Sequence, residues 1–75
     1  MIIITVEPNN DFTLAIKTDD GKKGIFDVRP YLNLEAFQEL KILSEFNKIT
    51  NGKYYIEWAC GADLSADTIE AKLVL

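Results

Sequence analysis

Two clusters of turn-forming residues, Asp19-Asp20-Gly21 and Asn51-Gly52, each stand between runs in which apolar and polar residues alternate, and this commits the chain to antiparallel hairpins. A period of two is the mark of a strand with one face on a core. Phe12, Leu14 and Ile16 alternate with Thr13, Ala15 and Lys17, and after the first turn Gly24 to Val28 returns with Phe26 and Val28 inward. Gly21 supplies the positive φ that a tight turn needs. Asn51-Gly52 lies between Lys48-Ile49-Thr50 and Lys53-Tyr54-Tyr55, and both residues tolerate the left-handed dihedrals of a two-residue type I′ turn. Beyond it Tyr54, Ile56 and Trp58 share one face, with Tyr55, Glu57 and Ala59 opposite. Ile2 to Glu7, β-branched at nearly every position and apolar on both faces for three residues, reads as an interior strand covered on two sides.

Helical signals are shorter. Pro30 lacks an amide donor and drives Arg29 towards extended geometry, so Arg29-Pro30-Tyr31 leaves the sheet. Asn33 is placed to cap a helix whose Leu34, Phe37 and Leu40 share a face. From Ile42 to Phe46 the pattern supports only an irregular turn that anchors Leu43 and Phe46. Gly61 breaks the last strand, and Ser65 then stands at the N-cap of a final helix carrying Asp67 in its first turn and Ile69 and Leu73 on one face. The fold class predicted is α+β: a small, mostly antiparallel sheet of about five strands with one or two short helices on one side. No repeat or linker divides the chain, so residues 1–75 form a single domain.

A chain of 75 residues, 48% hydrophobic and 27% charged, can build one core and not two. Its formal charge of −4 and scattered basic residues oppose direct nucleic-acid binding. Met1-Ile2-Ile3-Ile4 is interrupted by Thr5 and Glu7, far short of the roughly 20 residues of a membrane span, and no basic region precedes it. Cys60 is the only cysteine, which excludes an intrachain disulfide and fits a reducing, cytoplasmic setting.

Two stretches carry a family resemblance: Gly24-Ile25-Phe26-Asp27-Val28-Arg29-Pro30-Tyr31-Leu32, and Trp58-Ala59-Cys60-Gly61-Ala62-Asp63-Leu64-Ser65-Ala66-Asp67-Thr68-Ile69. Together, and in this order along nearly the whole chain, they resemble the prokaryotic domain-of-unknown-function family numbered 2442. The resemblance implies a small domain that occurs alone or joined to a helix-turn-helix DNA-binding domain. It also implies a gene often found beside that of another small protein, in arrangements like toxin–antitoxin pairs. Association is therefore the implied role, with no known reaction. Two positions depart from the family pattern: Ala66 stands where a proline is common, and Cys60 where a polar residue is common before the glycine.

The chain has no histidine, which removes the usual general base and metal ligand and every Ser-His or Cys-His nucleophile. We expect no catalytic, cofactor-binding or metal-binding residue. Ser65 reads as a helix cap, Cys60 as a half-buried thiol, and Asp63 and Asp67 as turn and helix-end carboxylates; with Asp27 they offer too few convergent oxygens for a hard cation. Gly21, Gly24, Gly52 and Gly61 show no phosphate-cradling spacing. Arg29, the only arginine, is expected to bridge to Asp27 or Asp63 and so tie the third strand to the Gly61 turn.

Trp58 and Tyr54 are assigned to the core, whereas Tyr55 and Ile25 face away from it and are candidates for a contact surface. The candidate interaction residues are Arg29, Tyr31, Tyr55 and Asp63. The apolar tail Leu73-Val74-Leu75 is suited to packing on a neighbouring subunit. The leading expectation is a cytoplasmic interaction module of antitoxin-like or regulatory character, homodimeric through a sheet edge or the tail, whose partner is a neighbouring gene's product. The alternative is a small-ligand binder or enzyme using the Arg29, Cys60 and Asp63 region; a third reading is a regulator reaching DNA only through a partner's helix-turn-helix.

Overall fold

In the computed structural model, which describes residues 1–75, the alternating segments form two three-stranded antiparallel sheets rather than one sheet of about five strands. The first holds β1 (Ile3–Pro8), β2 (Thr13–Thr18) and β3 (Lys23–Asp27); the second holds β4 (Ile49–Asn51), β5 (Tyr55–Trp58) and β6 (Asp63–Ser65), each in sequence order. The uncounted strand is β6. There a buried Leu64 between exposed Asp63 and Ser65 is an alternation too short to stand out in sequence, and Gly61 at φ +96° turns the chain back onto β5.

β1 is an outer strand and not an interior one. A register shift between Ile3 and Thr5 leaves Ile4 as the extra residue of a bulge, 49% exposed, so three consecutive isoleucines do not require two buried faces. The sheets meet at a seam beside it. Ile3 N–H donates to the Lys53 carbonyl at 2.8 Å, and the Asn51 side-chain amide donates to the carbonyls of Ile3 and Ile4 at 2.9 and 3.2 Å. Asn51 Oδ1 accepts from Lys53 N–H at 2.8 Å. This arrangement displaces the type I′ turn expected at Asn51-Gly52: the loop runs through Gly52, Lys53 and Tyr54, with the left-handed residue at Lys53 (φ 72°). Tyr54 therefore sits in the loop at 65% exposure, away from the core face that Ile56 and Trp58 occupy. Gly52 is needed for a different reason, because a Cβ there would collide with the Tyr55 ring.

After β3 the chain leaves the sheet in a 3₁₀ turn, Arg29–Tyr31, then forms a 3₁₀ helix, Glu35–Lys41, the short helix α1 (Leu43–Phe46) and, after β6, helix α2 (Ala66–Lys72). A spacing of three is the period of a 3₁₀ helix, and Phe37 and Leu40 are buried while Leu34 remains 53% exposed. Leu34, not Asn33, occupies the N-cap position; Asn33 instead offers its carbonyl to Gln38 Nε2 at 3.0 Å. Phe46 is buried as expected, whereas Leu43 is 37% exposed. The Ser65 cap is formed, its hydroxyl accepting from Thr68 N–H at 3.1 Å.

A run of aromatic rings joins the two halves: Phe12, Phe46, Trp58, Phe37, Tyr31 and Phe26 follow one another with centroids 5.3–6.0 Å apart. At its centre the Trp58 indole N–H donates to the Phe46 carbonyl at 2.9 Å. Phe12 starts the run from a left-handed backbone (φ 64°), a conformation costly for a bulky residue and held here by its edge-on contact with Phe46.

The tail pairs within its own chain. Ile25 N–H donates to the Val74 carbonyl at 2.8 Å and Val74 N–H to the Ile25 carbonyl at 3.0 Å, which places Val74 as a one-residue fourth strand beside β3. Gly24 makes this possible, since a Cβ there would lie 2.7 Å from the Val74 oxygen and 2.8 Å from Leu73 Cγ. Gly24→Val is expected to expel the tail at a cost of about 1–3 kcal/mol. Faster hydrogen exchange at the Ile25 and Val74 amides, with β1 and β2 unchanged, is the check.

Candidate interaction surface

Register decides which side chains leave the first sheet together. Pairing of Thr5 with Lys17 and of Lys17 with Lys23 forms one outward row; Glu7 with Ala15, Ala15 with Ile25 and Ile25 with Val74 forms the next. The core-facing residues Leu14, Ile16 and Phe26 lie on the other side. Because Ala15 is short and its neighbours are long, the outer face carries an open trough of about 560 Å³ that Thr5, Lys17, Lys23, Ile25 and the tail help to line. Ile25 is 43% exposed and Val74 69%. The chain's three ion pairs are Lys22–Asp20, Arg29–Asp27 and Lys48–Glu45, so Lys17 and Lys23 stand directly across from one another outside any ion pair, with Glu7 one row away on the same face.

The outer face of the second sheet has the opposite sign. Thr50, Glu57 and Asp63 pair in one row and Tyr55 with Ser65 in the next, so Glu57 and Asp63 are directly opposed carboxylates with no cation paired to them. Tyr55 and Asp63 are both here, and both are exposed.

Arg29 and Tyr31 lie elsewhere, on the 3₁₀ turn that follows β3. Of the two carboxylates weighed for Arg29, Asp27 is the partner: Nε donates to Oδ1 at 2.9 Å, a terminal guanidinium nitrogen donates to Oδ2 at 3.0 Å, and the Arg29 amide also reaches Oδ1 at 2.9 Å. No bridge to Asp63 ties β3 to the Gly61 turn, because two residues either side of Val28 already share a face where the strand ends. Tyr31 is half-buried, stacked on Phe26 at 5.7 Å and tilted on Phe37 at 5.9 Å; its exposed rim joins Asp27, Pro30 and Lys72 around a recess of about 420 Å³. Cys60 is half-buried against the core. None of the surface recesses is lined by Arg29, Cys60 or Asp63. No three His, Cys, Asp or Glu side chains gather where they would hold a metal ion, and no helix is long and apolar enough to cross a membrane.

Hydrogen bonds from Arg29 hold the Asp27 carboxyl below the usual carboxylate range, and the Thr13 and Thr18 hydroxyls do the same for Asp11 and Asp20. A carboxyl depressed by folding stabilises the native state above its ordinary pKa and ceases to as pH falls through the depressed value. The melting temperature is therefore expected to hold near neutrality and to drop below about pH 4. Asp27→Asn makes that drop shallower in a thermal-melt series, an effect kept small by the solvent exposure of the pair.

Lys17, Lys23, Ala15 and Glu57 were not singled out by sequence reasoning. The signal was present, since Lys17 and Lys23 are equidistant from Asp20 and a hairpin closing there sets them face to face.

Among known proteins, the family model described as "Protein of unknown function (DUF2442)" matches residues 3–74. No curated protein and no solved structure matches the chain.

Proposed function

From the premise that this chain belongs to the DUF2442 family of proteins of unknown function, whose model covers nearly all of it, we propose that it is a cytoplasmic protein-interaction module of antitoxin-like or regulatory character, working by contact rather than turnover. The observation that carries this reading is the outer face of the first sheet. There an apolar floor of Ala15 and Ile25, the exposed tail and the ammonium groups of Lys17 and Lys23, which outnumber the one carboxylate of Glu7, lie side by side. An apolar centre with charge at its rim is how protein interfaces are composed. The lysines select a partner segment carrying carboxylates, and Ala15 leaves room for one of its side chains. Support for the antitoxin-like character comes from the gene neighbourhood that the family resemblance implies, and support for action by contact from a chain without imidazole. The single thiol suits the cytoplasm.

Co-expression with the product of the adjacent gene tests the proposal. A complex is expected to co-purify, and Lys17→Glu/Lys23→Glu to weaken it by about tenfold or more while leaving the fold intact. Absence of a complex, or capture indifferent to the two lysines, overturns it.

A further inference from the structure

We propose that, when no other partner is bound, the outer face of the first sheet docks on the outer face of the second sheet of another copy of this chain, Lys17 and Lys23 meeting Glu57 and Asp63. The proposal rests on the reading of the first-sheet face as a contact surface and names a second occupant for it.

Directly opposed like charges destabilise a sheet. This small chain carries two such pairs, of opposite sign, on different sheets. None of the four side chains takes part in an ion pair, nor in any side-chain hydrogen bond: those bonds are all made by other groups. Each pair lacks what the other supplies.

The two faces also agree in spacing. Lys17 and Lys23 lie on adjacent antiparallel strands, as do Glu57 and Asp63, so cations and carboxylates alike are separated by about 4.5–5.5 Å at their Cα atoms. Two residues further along the strands comes the second row of each face, Ala15 and Ile25 on one sheet and Tyr55 and Ser65 on the other. Superposing the charged rows with the two turns at the same end brings Tyr55, 47% exposed, across from Ile25 on the same trough, and Ser65 across from Ala15. A tyrosine ring over an apolar floor with its hydroxyl towards the rim is a favoured interface contact. Face-to-face sheets pack about 10 Å apart, a distance that long lysine and glutamate side chains span.

A face of three short strands buries well under the roughly 800 Å² per partner of a standard interface, and the charge of −4 on each copy opposes approach at long range. The contact is accordingly weak and depends on concentration. It is also heterologous: each copy that offers its basic face keeps its acidic one free, so assembly proceeds past the dimer or closes into a ring.

Sedimentation velocity on the full chain from about 10 μM to about 1 mM covers the range of so weak a contact. The weight-average mass of the wild type is expected to rise with concentration. Lys17→Glu/Lys23→Glu and Glu57→Lys/Asp63→Lys each remain monomeric, their equimolar mixture forms a complex, and the fourfold charge swap regains self-association. Thermal melts in which each double keeps a cooperative transition serve as the folding control. A wild type that stays monomeric throughout overturns the proposal, as do doubles that associate like the wild type or a mixture that does not combine. Glu57→Lys/Asp63→Lys leaves the basic face intact and so retains capture of the adjacent gene's product. Failure of capture with the charge-swap pattern intact removes the partner reading alone; capture with a monomeric wild type removes self-association alone.

Discussion

Trp58→Ala is expected to remove about half of the chain's stability. The side chain is 1% exposed, touches Phe37 and Phe46 within the aromatic run, and its indole N–H satisfies the buried Phe46 carbonyl. Truncation of a buried tryptophan costs about 3–5 kcal/mol, against a total of about 4–11 kcal/mol for a domain of this size. Far-UV circular dichroism in a urea titration gives the reading: a transition moved to much lower urea. Trp58→Phe keeps an aromatic ring at the site while removing the donor and part of the indole's volume, so a smaller loss, of about 1–3 kcal/mol, with the transition preserved is expected.

Asn51→Asp is expected to loosen the seam between the two sheets. The substitution keeps shape and size but replaces the amide nitrogen, which donates to the Ile3 and Ile4 carbonyls, by an oxygen that can only accept. Two carbonyls lose their donor and face a negative charge, for about 1–3 kcal/mol. Asn51→Ala, which removes the bonds without the repulsion, is expected to cost less. The ranking, read from chemical denaturation, is the test: an aspartate tolerated as well as the alanine would mean that the seam is held by packing alone.

Much of the architecture was legible because strand alternation and turn chemistry are local. The hairpin about Gly21, the inward Phe26 and Val28, the exit at Pro30 and the Ser65 cap all follow from residues within a few positions of each other. What escaped depends on distant parts of the chain. Asn51-Gly52 meets the requirement of a type I′ turn, yet the Asn51 amide is claimed by β1, 47 and 48 residues away, and the loop opens to let it reach. Tyr54 followed the alternation of Ile56 and Trp58 on paper and left it for the same reason. β1 was misread because a bulge shifts the period by one, which no pattern of three isoleucines reveals. For the surface, exposure of Tyr55 was legible from strand parity, whereas Asp63 lies on β6, the uncounted strand. The opposition of Glu57 to Asp63 needed register, a property of two strands at once.

Every ladder in the two sheets joins strands that are neighbours in sequence. Chain entropy is thus surrendered in small steps, each closing a short loop and each rewarded at once by hydrogen bonds and apolar contact. Topologies of that kind cross their folding barrier quickly. The bridge between Ile25 and Val74 is the exception, closing a loop of 49 residues for two hydrogen bonds. The first three strands can assemble with nothing beyond residue 27, while their outer border waits for residue 74 to return. During that interval the trough lacks one wall, and a nascent chain presents its basic face before the flank that finishes it is in place.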